Sequence, residues 1–397
     1  MMGSHYFQGL APLTTRCRPS GAHEMPAPHL LDDIDAALAA ACQRLALPAY
    51  RAKQVRKWLL EKRAQGWDTM TDLPKALRTQ LEGEFQLWTA EVAKHTAADD
   101  GTEKLLLQLA GGGRIECVLL RENIGKRAKE VESPASLAPE GRRRTMCIST
   151  QVGCAMGCVF CASGLDGVDR NLTTGEIVEQ VLRLQHRLGP EERLSHLVVM
   201  GMGEPLANLD NLLPALNEVS RPDGLGISPR RITISTVGLP PAIRKLARSE
   251  DGSRYRLAIS LHAPNDELRN RIVPVNKNIG VEAVMAAADD YYTVSGRRLT
   301  FEYVLLAELN DQPEHAHQLV GLLKSRNALL NVIPYNPVEG LPYRTPTMEA
   351  QQRFRTILET GGVEVRFRHR KGDKINAACG QLRRSTPPSV VPITSNL

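Results

Sequence analysis

The sequence contains few aromatic residues. Its 397 residues include 6 Phe, 3 Trp and 8 Tyr, which together make up 4% of the chain. Proteins that bind single-stranded nucleic acid mainly by stacking need several exposed aromatic rings. This composition therefore argues against a surface that works chiefly by stacking.

Long apolar runs and a secretory signal are also missing. No stretch of the sequence approaches the roughly 20 apolar residues that a membrane-spanning helix needs. The N-terminal stretch carries Arg16 and Arg18 but lacks the apolar segment of a signal peptide. We therefore expect no membrane association and a cytoplasmic location. The 42% of hydrophobic residues supports a sizeable core, and the net charge of +6 suits a surface that tolerates a polyanion.

The cysteines are unevenly distributed. Four of the 8 cysteines lie close together in the sequence, namely Cys147, Cys154, Cys158 and Cys161. A secreted scaffold stapled by disulfides is usually shorter and spreads its cysteines more evenly. Clustering in a chain of this length indicates a reducing compartment and either metal or redox chemistry.

Composition divides the chain into five segments. They are a disordered N-terminal extension (1–28), a helical accessory domain (29–100) whose positive charges we expect to contact RNA, a β-hairpin with a flexible connection (101–144), a core (145–382) and a disordered tail (383–397). In the accessory domain, the helix predicted over residues 50–63 carries six positive charges against the single Glu61. This pattern is typical either of a solvated helix face or of a face that meets phosphate groups.

The core alternates short β-branched runs with amphipathic helical stretches. Its strand candidates are Met146–Ser149, Leu197–Met200, Ile232–Ser235, Leu257–Ser260, Leu299–Leu305, Leu330–Ile333 and Val363–Phe367. Such alternation calls for a parallel sheet with the chemistry at the carboxyl ends of the strands. Because there are about six βα units rather than eight, the predicted fold is α/β, with a partial (β/α)6 barrel, the small helical accessory domain and the β-hairpin linker.

A C-x-x-x-C-x-x-C run follows the first core strand. Cys154, Cys158 and Cys161 place three thiolates on one loop, enough to hold three corners of an iron-sulfur cube. The fourth iron is then open to a ligand, as an open metal position is in a catalytic site. The alternative is a structural zinc site with a distant fourth ligand such as Cys379 or a histidine, although zinc sites usually have paired spacings.

Six motifs in order carry a resemblance to a known family. They are Cys147-Ile-Ser-Thr-Gln-Val-Gly-Cys154, Val199-Met-Gly-Met-Gly-Glu-Pro205, Ile234-Ser-Thr-Val-Gly238, Ser260-Leu-His-Ala-Pro-Asn-Asp266, Asn331-Val-Ile-Pro-Tyr-Asn-Pro337 and Ala377-Ala-Cys-Gly-Gln-Leu382. With the three-cysteine loop, they make the chain resemble the RlmN family of RNA adenine-C2 methyltransferases in the radical S-adenosylmethionine (SAM) superfamily. The resemblance spans residues 50–382 except the connection at 121–144, and it implies a radical SAM barrel with one 4Fe-4S cluster.

The resemblance also implies where SAM binds. Gly203 and Glu204 match the positions that receive its amino end. The positions that hold the ribose, carboxylate and adenine correspond to Ser235, the backbone of Ser260, Leu261 and His262, and Asn336. For His262, an ordinary buried core histidine is the alternative.

The same resemblance implies roles for three further residues. Cys379 accepts a methyl group from one SAM, a second SAM supplies a radical that activates this S-methyl group, and the resulting carbon adds to adenine C2. Cys147 is the resolving thiol that releases the product, and Glu116 is the proton acceptor. Cys117 is a rival for the thiol role, although its apolar strand makes a buried structural cysteine the alternative.

The implied activity is methylation of C2 of an adenine in 23S rRNA and in certain tRNAs. The implied partners are these RNAs and an electron donor such as flavodoxin or ferredoxin, and nothing in the sequence demands more than a monomer. Seven positive charges bracket Cys379, which suits an approaching phosphate backbone, but Lys374-Ile-Asn376 departs from the family pattern. The alternatives are a C8-methylating rRNA methyltransferase of the same superfamily and a non-catalytic iron-sulfur RNA-binding protein.

Overall fold

The computed structural model describes residues 27–123, 142–368 and 375–382. The predicted N-terminal extension lies outside the described residues except for its last two positions. Most of the predicted connection, the predicted C-terminal tail and the basic residues of segment 369–374 also lie outside the described residues. No helix in the described part of the chain is long and apolar enough to cross a membrane.

Three helices form the N-terminal region. They are α1 (Ile34–Arg44), α2 (Tyr50–Leu60) and α3 (Lys75–Glu84). Asp33 caps α1 by accepting a hydrogen bond from the Ala36 amide, which satisfies one of the free donors at the start of the helix. The buried side chains of these helices belong to the same apolar cluster as the core of the sheet. The accessory helices are therefore packed on the core.

Two arginines of the basic helix segment help to join these helices to the core. Arg56 is 6% exposed, and its guanidinium lies 3.0 Å from Asp35 Oδ1 and 2.5 Å from Glu218 Oε1. Arg63 donates hydrogen bonds to the carbonyl oxygens of Leu188 and Gly189. These two charges are thus engaged within the protein, whereas Lys53, Lys57 and Lys62 are exposed.

Ten strands form one sheet, and two short strands form a separate hairpin. In chain order they are β1 (Ala90–Ala97), β2 (Glu103–Leu109), β3 (Arg114–Asn123), β4 (Arg142–Cys147), β5 (Gln151–Gly153), β6 (Val168–Asn171), β7 (His196–Val199), β8 (Ile232–Thr236), β9 (Arg256–Ser260), β10 (Leu299–Leu305), β11 (Ala328–Pro334) and β12 (Val365–Phe367). Strands β1 to β4 pair antiparallel, and β4 and β7 to β12 pair parallel.

Helices connect the parallel strands. They are α4 (Thr174–Gln185), α5 (Leu209–Ser220), α6 (Pro240–Arg248), α7 (Asp266–Ile272), α8 (Val281–Ser295), α9 (Pro313–Leu323) and α10 (Met348–Thr360). A capping box between Thr173 and Glu176 starts α4. The order runs from β1 to β12 without pairing these two strands among the described residues. This architecture confirms the predicted α/β fold, with seven parallel strands, six connections and an open sheet.

The N-terminal half of the sheet differs in detail from the expected segments. Strand β1 lies within the range expected to be helical, because its pattern has mostly exposed side chains and gives little strand signal. The predicted hairpin forms as β2 and β3, but β3 also pairs with β4 and so continues the barrel sheet. The hairpin therefore extends the sheet of the barrel and is not a separate linker.

Candidate active site

The cysteine loop lies between the two short strands. It starts after β5 and ends before β6, and the Cys154 amide donates to the carbonyl of Gly167 across its base at 2.8 Å. Phe160 anchors the loop in an apolar cluster that includes Ala263 and Ile272, and the Val159 amide donates to the Ile272 carbonyl. Backbone pairing and apolar packing thus fix the loop against the mouth of the barrel.

The three thiols of this loop act on one another. Burial, with the charge of Cys161 as a further cause, raises the pKa of Cys154 to about 12. Burial raises the pKa of Cys158 well above its ordinary value, with Cys161 and Cys154 adding to the effect. Thiols held in this way stay protonated until a cation stabilises the thiolates. Within the described residues, no group of three His, Cys, Asp or Glu side chains is already arranged to hold a metal ion.

Two further cysteines meet beside this loop. Cys147 ends β4 and Cys379 lies in the C-terminal segment 375–382, and neither is in a disulfide. Burial raises the pKa of Cys147 to about 12, with the charge of Cys379 as the next cause. Burial also raises the pKa of Cys379, which the charge of Arg368 partly offsets. Cys379 is nevertheless accessible to solvent, as is expected of a residue in the wall of an open pocket.

Hydrogen bonds hold the C-terminal segment against the cysteine loop. The Ala162 amide donates to the Gly380 carbonyl at 2.8 Å, and Ser163 Oγ donates to the Leu382 carbonyl at 2.8 Å. From the opposite side, Asn336 Nδ2 donates to the carbonyl oxygen of Cys379 at 3.3 Å. These contacts bring the predicted methyl carrier to both the cysteine loop and a predicted SAM residue.

The pleat of the sheet separates Glu116 from Cys117. Val118 lies directly opposite Cys147 in the β3–β4 register, so Cys147, Val118 and Glu116 share one face of the sheet. Cys117 lies on the other face and is fully buried. This placement disfavours Cys117 as the thiol of the site and leaves Cys147 on the same face as Glu116.

Glu204 braces the ends of two neighbouring strands. It is 3% exposed, and its carboxylate accepts hydrogen bonds from Thr236 Oγ1 at 2.7 Å and from the Val237 amide at 2.8 Å. Burial raises its pKa, and these hydrogen bonds oppose that shift. Gly203 has φ +101°, and a Cβ there would meet the Gln151 side chain at 2.7 Å, so this position requires glycine.

The other predicted SAM residues lie at neighbouring strand ends. Ser235 Oγ and Ser260 Oγ are 3.5 Å apart. Asn336 is 5% exposed, and its Oδ1 has no hydrogen-bond partner among the described residues. An unsatisfied buried oxygen of this kind is costly unless a ligand or water pairs with it.

The imidazole ring of His262 makes its contacts with other residues of the protein. Its Nδ1 accepts a hydrogen bond from the Val304 amide at 3.1 Å, and the ring packs edge-to-face on Phe160 of the cysteine loop. Burial lowers its pKa to about 3, so the imidazole is neutral. The residue has φ +57°, a left-handed conformation that is strained for a side-chain-bearing residue. The side chain therefore supports the loop, and contact with SAM through the backbone stays a prediction.

Arg269 supports the same strand ends and was not singled out from the sequence. The side chain is 0% exposed and donates to the carbonyl oxygens of Leu261 at 2.9 Å, Ser260 at 3.0 Å and Val237 at 2.5 Å. Arginine is common on exposed helix faces, so its position in α7 gave no signal of burial. Lys104 was not singled out either, because it joins the β2–β3 hairpin to Asn376, which is distant in sequence.

Two family models match the chain. The model of the Radical SAM superfamily matches residues 148–320, and that of the Ribosomal RNA large subunit methyltransferase N-terminal domain matches residues 29–87. The Probable dual-specificity RNA methyltransferase RlmN of Rhodopirellula baltica is 62% identical over 336 residues, which cover 85% of this chain and 85% of that protein. The chain belongs to the RlmN family.

Further relatives of the RlmN family agree with this assignment. The Probable dual-specificity RNA methyltransferase RlmN 3 of Opitutus terrae is 45% identical over 350 residues, covering 85% of this chain and 90% of the relative. The crystal structure of a radical SAM methyltransferase from Sphaerobacter thermophilus superimposes with a TM-score of 0.81 at 38% identity, covering 91% of this chain and 100% of that one. The protein is thus a dual-specificity RNA methyltransferase of the radical SAM family.

An RlmN protein implies a 4Fe-4S cluster and SAM, and the described residues fit both. The three thiols of the cysteine loop lie close enough to perturb one another, which suits three ligands of one cluster. The unpaired Asn336 Oδ1 offers a hydrogen-bond acceptor to a nucleoside in the same mouth of the barrel. The site therefore combines soft sulfur ligands with a polar pocket.

Proposed function

We propose that this protein methylates C2 of an adenine in 23S rRNA and in certain tRNAs, with Cys379 as the carrier of the added carbon. The observation that carries the proposal is the position of segment 375–382, which brings Cys379 to both Cys147 and the cysteine loop. A protein that only bound RNA through a metal site would have no need of two further free cysteines in this pocket.

Cys154, Cys158 and Cys161 would hold the cluster, leaving its fourth iron for SAM. The residues assigned to SAM are Gly203, Glu204, Ser235, Ser260, Leu261, His262 and Asn336. A bound cluster would supply the electron that cleaves SAM to a 5'-deoxyadenosyl radical, and it would accept one electron when the product is released. The hydrogen bonds that Glu204 accepts from Thr236 and Val237 would keep this pocket rigid before SAM arrives.

Cys379 makes the reaction at C2 accessible. Adenine C2 is electron-poor and cannot attack a sulfonium methyl group as an amine nitrogen does. A Cys379 thiolate can make that attack and so becomes S-methylated. Arg368 favours this thiolate because its charge partly offsets the rise that burial causes in the pKa of Cys379. Transfer of one hydrogen atom from the S-methyl group to the 5'-deoxyadenosyl radical would leave a carbon radical, which adds to C2 and tethers the RNA to Cys379.

Glu116 and Cys147 release the product. Glu116 accepts the proton from C2, and the sulfur of Cys147 attacks the sulfur of Cys379 as the bond between Cys379 and the methylene carbon breaks. The proton of the Cys147 thiol completes the new methyl group. The remaining electron would return to the bound cluster. The two cysteines end as a disulfide, which an external reductant must reopen before the next turnover.

RNA would approach through electrostatic attraction and recognition of its shape. Lys53 and Lys57 are exposed on α2, Lys62 is exposed just after it, and Arg366 and Arg368 are exposed beside the site. The target base must leave its stack to reach a pocket at the mouth of a barrel. We further propose action in the cytoplasm, as a monomer, with flavodoxin or ferredoxin as the electron donor.

The proposal is tested with methyl-deuterated SAM, a reductant and the anaerobically reconstituted protein. Separate 23S rRNA and tRNA substrates are digested after reaction, and their nucleosides are identified by mass spectrometry. Label in 2-methyladenosine from both RNAs is the expected result. Label in 8-methyladenosine would transfer the protein to the C8-methylating alternative, and an absence of label despite an intact cluster and SAM cleavage would contradict the proposed substrates.

A further inference from the structure

The ammonium group of Lys104 lies between the predicted proton acceptor and the segment that carries Cys379. Its Nζ is 2.8 Å from Glu116 Oε1 and donates to the carbonyl oxygen of Asn376 at 2.9 Å. We propose that Lys104 is a positioning residue, which keeps Glu116 ionised and fixes it relative to Cys379. This inference rests on the proposed function, since it assigns a role within the same reaction.

The register of the hairpin explains why Lys104 reaches Glu116. Lys104 lies opposite Val118, two residues from Glu116 on the same strand. The two side chains are thus diagonal neighbours on one face of the sheet, within reach of a long side chain. They are 11% and 9% exposed, respectively. The pair is therefore largely shielded from solvent, where a charge interaction is much stronger than at a surface.

The charge of Lys104 matters because a proton acceptor must be ionised. A shielded carboxylate tends to take up a proton unless a cation stays beside it. Of the titratable groups on the same face as Glu116, β3 contributes Arg114, β2 contributes Lys104 and β4 contributes Cys147. The charged groups of α4, Glu179 and Arg183, act on Cys117 across the sheet. Arg114 donates to Gln108 Oε1 at 2.7 Å, whereas Lys104 is in direct ionic contact with Glu116 and so favours its ionised form.

The second contact of Lys104 joins the hairpin to the C-terminal segment. Asn376 lies three residues before Cys379 and has φ +50°, a left-handed conformation that asparagine tolerates better than most residues. The hydrogen bond from Lys104 to its carbonyl helps to hold this turn. Movement of Cys379 is thereby coupled to Glu116 through one side chain. Lys104 itself neither takes nor gives a proton in the reaction.

The inference is tested with Lys104→Met, which keeps the length of the side chain and removes its charge. Holoenzyme is reacted with a 23S rRNA fragment and SAM in a single turnover, from about pH 6 to about pH 9. Denaturing gels measure the RNA tethered to protein, and mass spectrometry measures 2-methyladenosine. Lys94→Met on the exposed face of β1 is the matched control, Lys104→Arg tests rescue by charge, and Glu116→Gln with and without Lys104→Met tests coupling.

We expect Lys104→Met to accumulate tethered RNA, because formation of the tether does not need Glu116 whereas its release does. The acid limb of the release rate should move to higher pH by about one unit or more, and Lys104→Arg should restore most of the wild-type profile. In the Glu116→Gln background, Lys104→Met should change the release rate less than twofold. Lys104→Met should have the same 4Fe-4S absorbance per protein chain as Lys94→Met. This control shows that the variant is folded and contains its cluster.

Three results would overturn the role of Lys104. They are an unchanged pH profile for Lys104→Met, an equal loss in both the wild-type and the Glu116→Gln backgrounds, or loss of the tethered species itself. A folded Lys104→Met protein that forms no tether would assign Lys104 to an earlier step. Failure of the proposed function is separate, since the wild-type protein would then give neither tethered RNA nor 2-methyladenosine.

Discussion

Replacing Arg269 with Met is expected to destabilise the protein by about 2 to 4 kcal/mol. The guanidinium is 0% exposed and donates to three carbonyl oxygens and to Asn276 Oδ1. Each such bond contributes roughly 1 kcal/mol net, which sets the upper value. Burial of the guanidinium lowers the pKa of Arg269 to about 10, because the charged form loses its hydration. The lower value allows for this desolvation cost, which the Met variant does not have.

The assay is urea unfolding of the cluster-free protein, followed by circular dichroism. Arg254→Met is the matched control, because Arg254 pairs with Asp251 at an exposed position and such pairs contribute at most about 1 kcal/mol. Arg269→Lys keeps the charge but loses the planar set of N–H donors of the guanidinium. This variant should therefore also be less stable than the wild-type protein. An Arg269→Met protein no less stable than Arg254→Met would refute the view that this arginine ties the strand ends together.

Three further predictions concern the cluster, pH and RNA. Cys158→Ala should abolish the 4Fe-4S absorbance of the reconstituted protein, and a full cluster in that variant would reject the ligand assignment. The free energy of unfolding should fall as pH drops below about 6.5, because burial lowers the pKa of His196 and His262 to about 3 and of His186 to about 4, so the unfolded chain binds protons first. The loss is at most about 1.4 kcal/mol per pH unit and histidine; His196→Gln should reduce it, and equal urea midpoints at about pH 7 and about pH 5 would contradict this prediction. RNA affinity should decrease steeply with salt concentration, and a flat response would argue against lysine and arginine contacts with phosphate.

The parallel core could be predicted from the sequence because its strands are short and β-branched. Leu299–Leu305 has the predicted bounds, and the other core strands are shifted by only a few residues. Strand β1 could not be predicted in this way. Its side chains are mostly exposed, and it forms because an edge of the β2–β3 hairpin is available for pairing. Local patterns do not record such a pairing.

The cysteine loop was identified from spacing alone, whereas the rest of the site was assigned by resemblance. Nothing in the local sequence around Cys379 indicates that it lies beside Cys147, since more than two hundred residues separate the two. The contacts that bring them together, from Ala162, Ser163 and Asn336, are all long-range. Contacts between distant segments follow from the tertiary fold, which local patterns do not specify.

The sequence of the basic segment 50–63 does not show which of its positive charges contact the protein core. Six positive charges on one segment suggested a phosphate-facing surface, but Arg56 and Arg63 are engaged in contacts with the core. Which charges a helix uses internally depends on what packs against it, and Glu218 lies 162 residues away from Arg56. Lys53, Lys57 and Lys62 of the same segment are exposed.

The most direct test of the mechanism uses Cys147→Ala with a 23S rRNA fragment, SAM and a reductant. Without the resolving thiol, RNA should remain covalently attached, and peptide mass spectrometry should locate the nucleotide on Cys379 through a methylene bridge. Protein that turns over normally without covalently attached RNA, or a methylene bridge at another cysteine, would contradict the assignment of Cys379 and Cys147 as the carrier and resolving thiols.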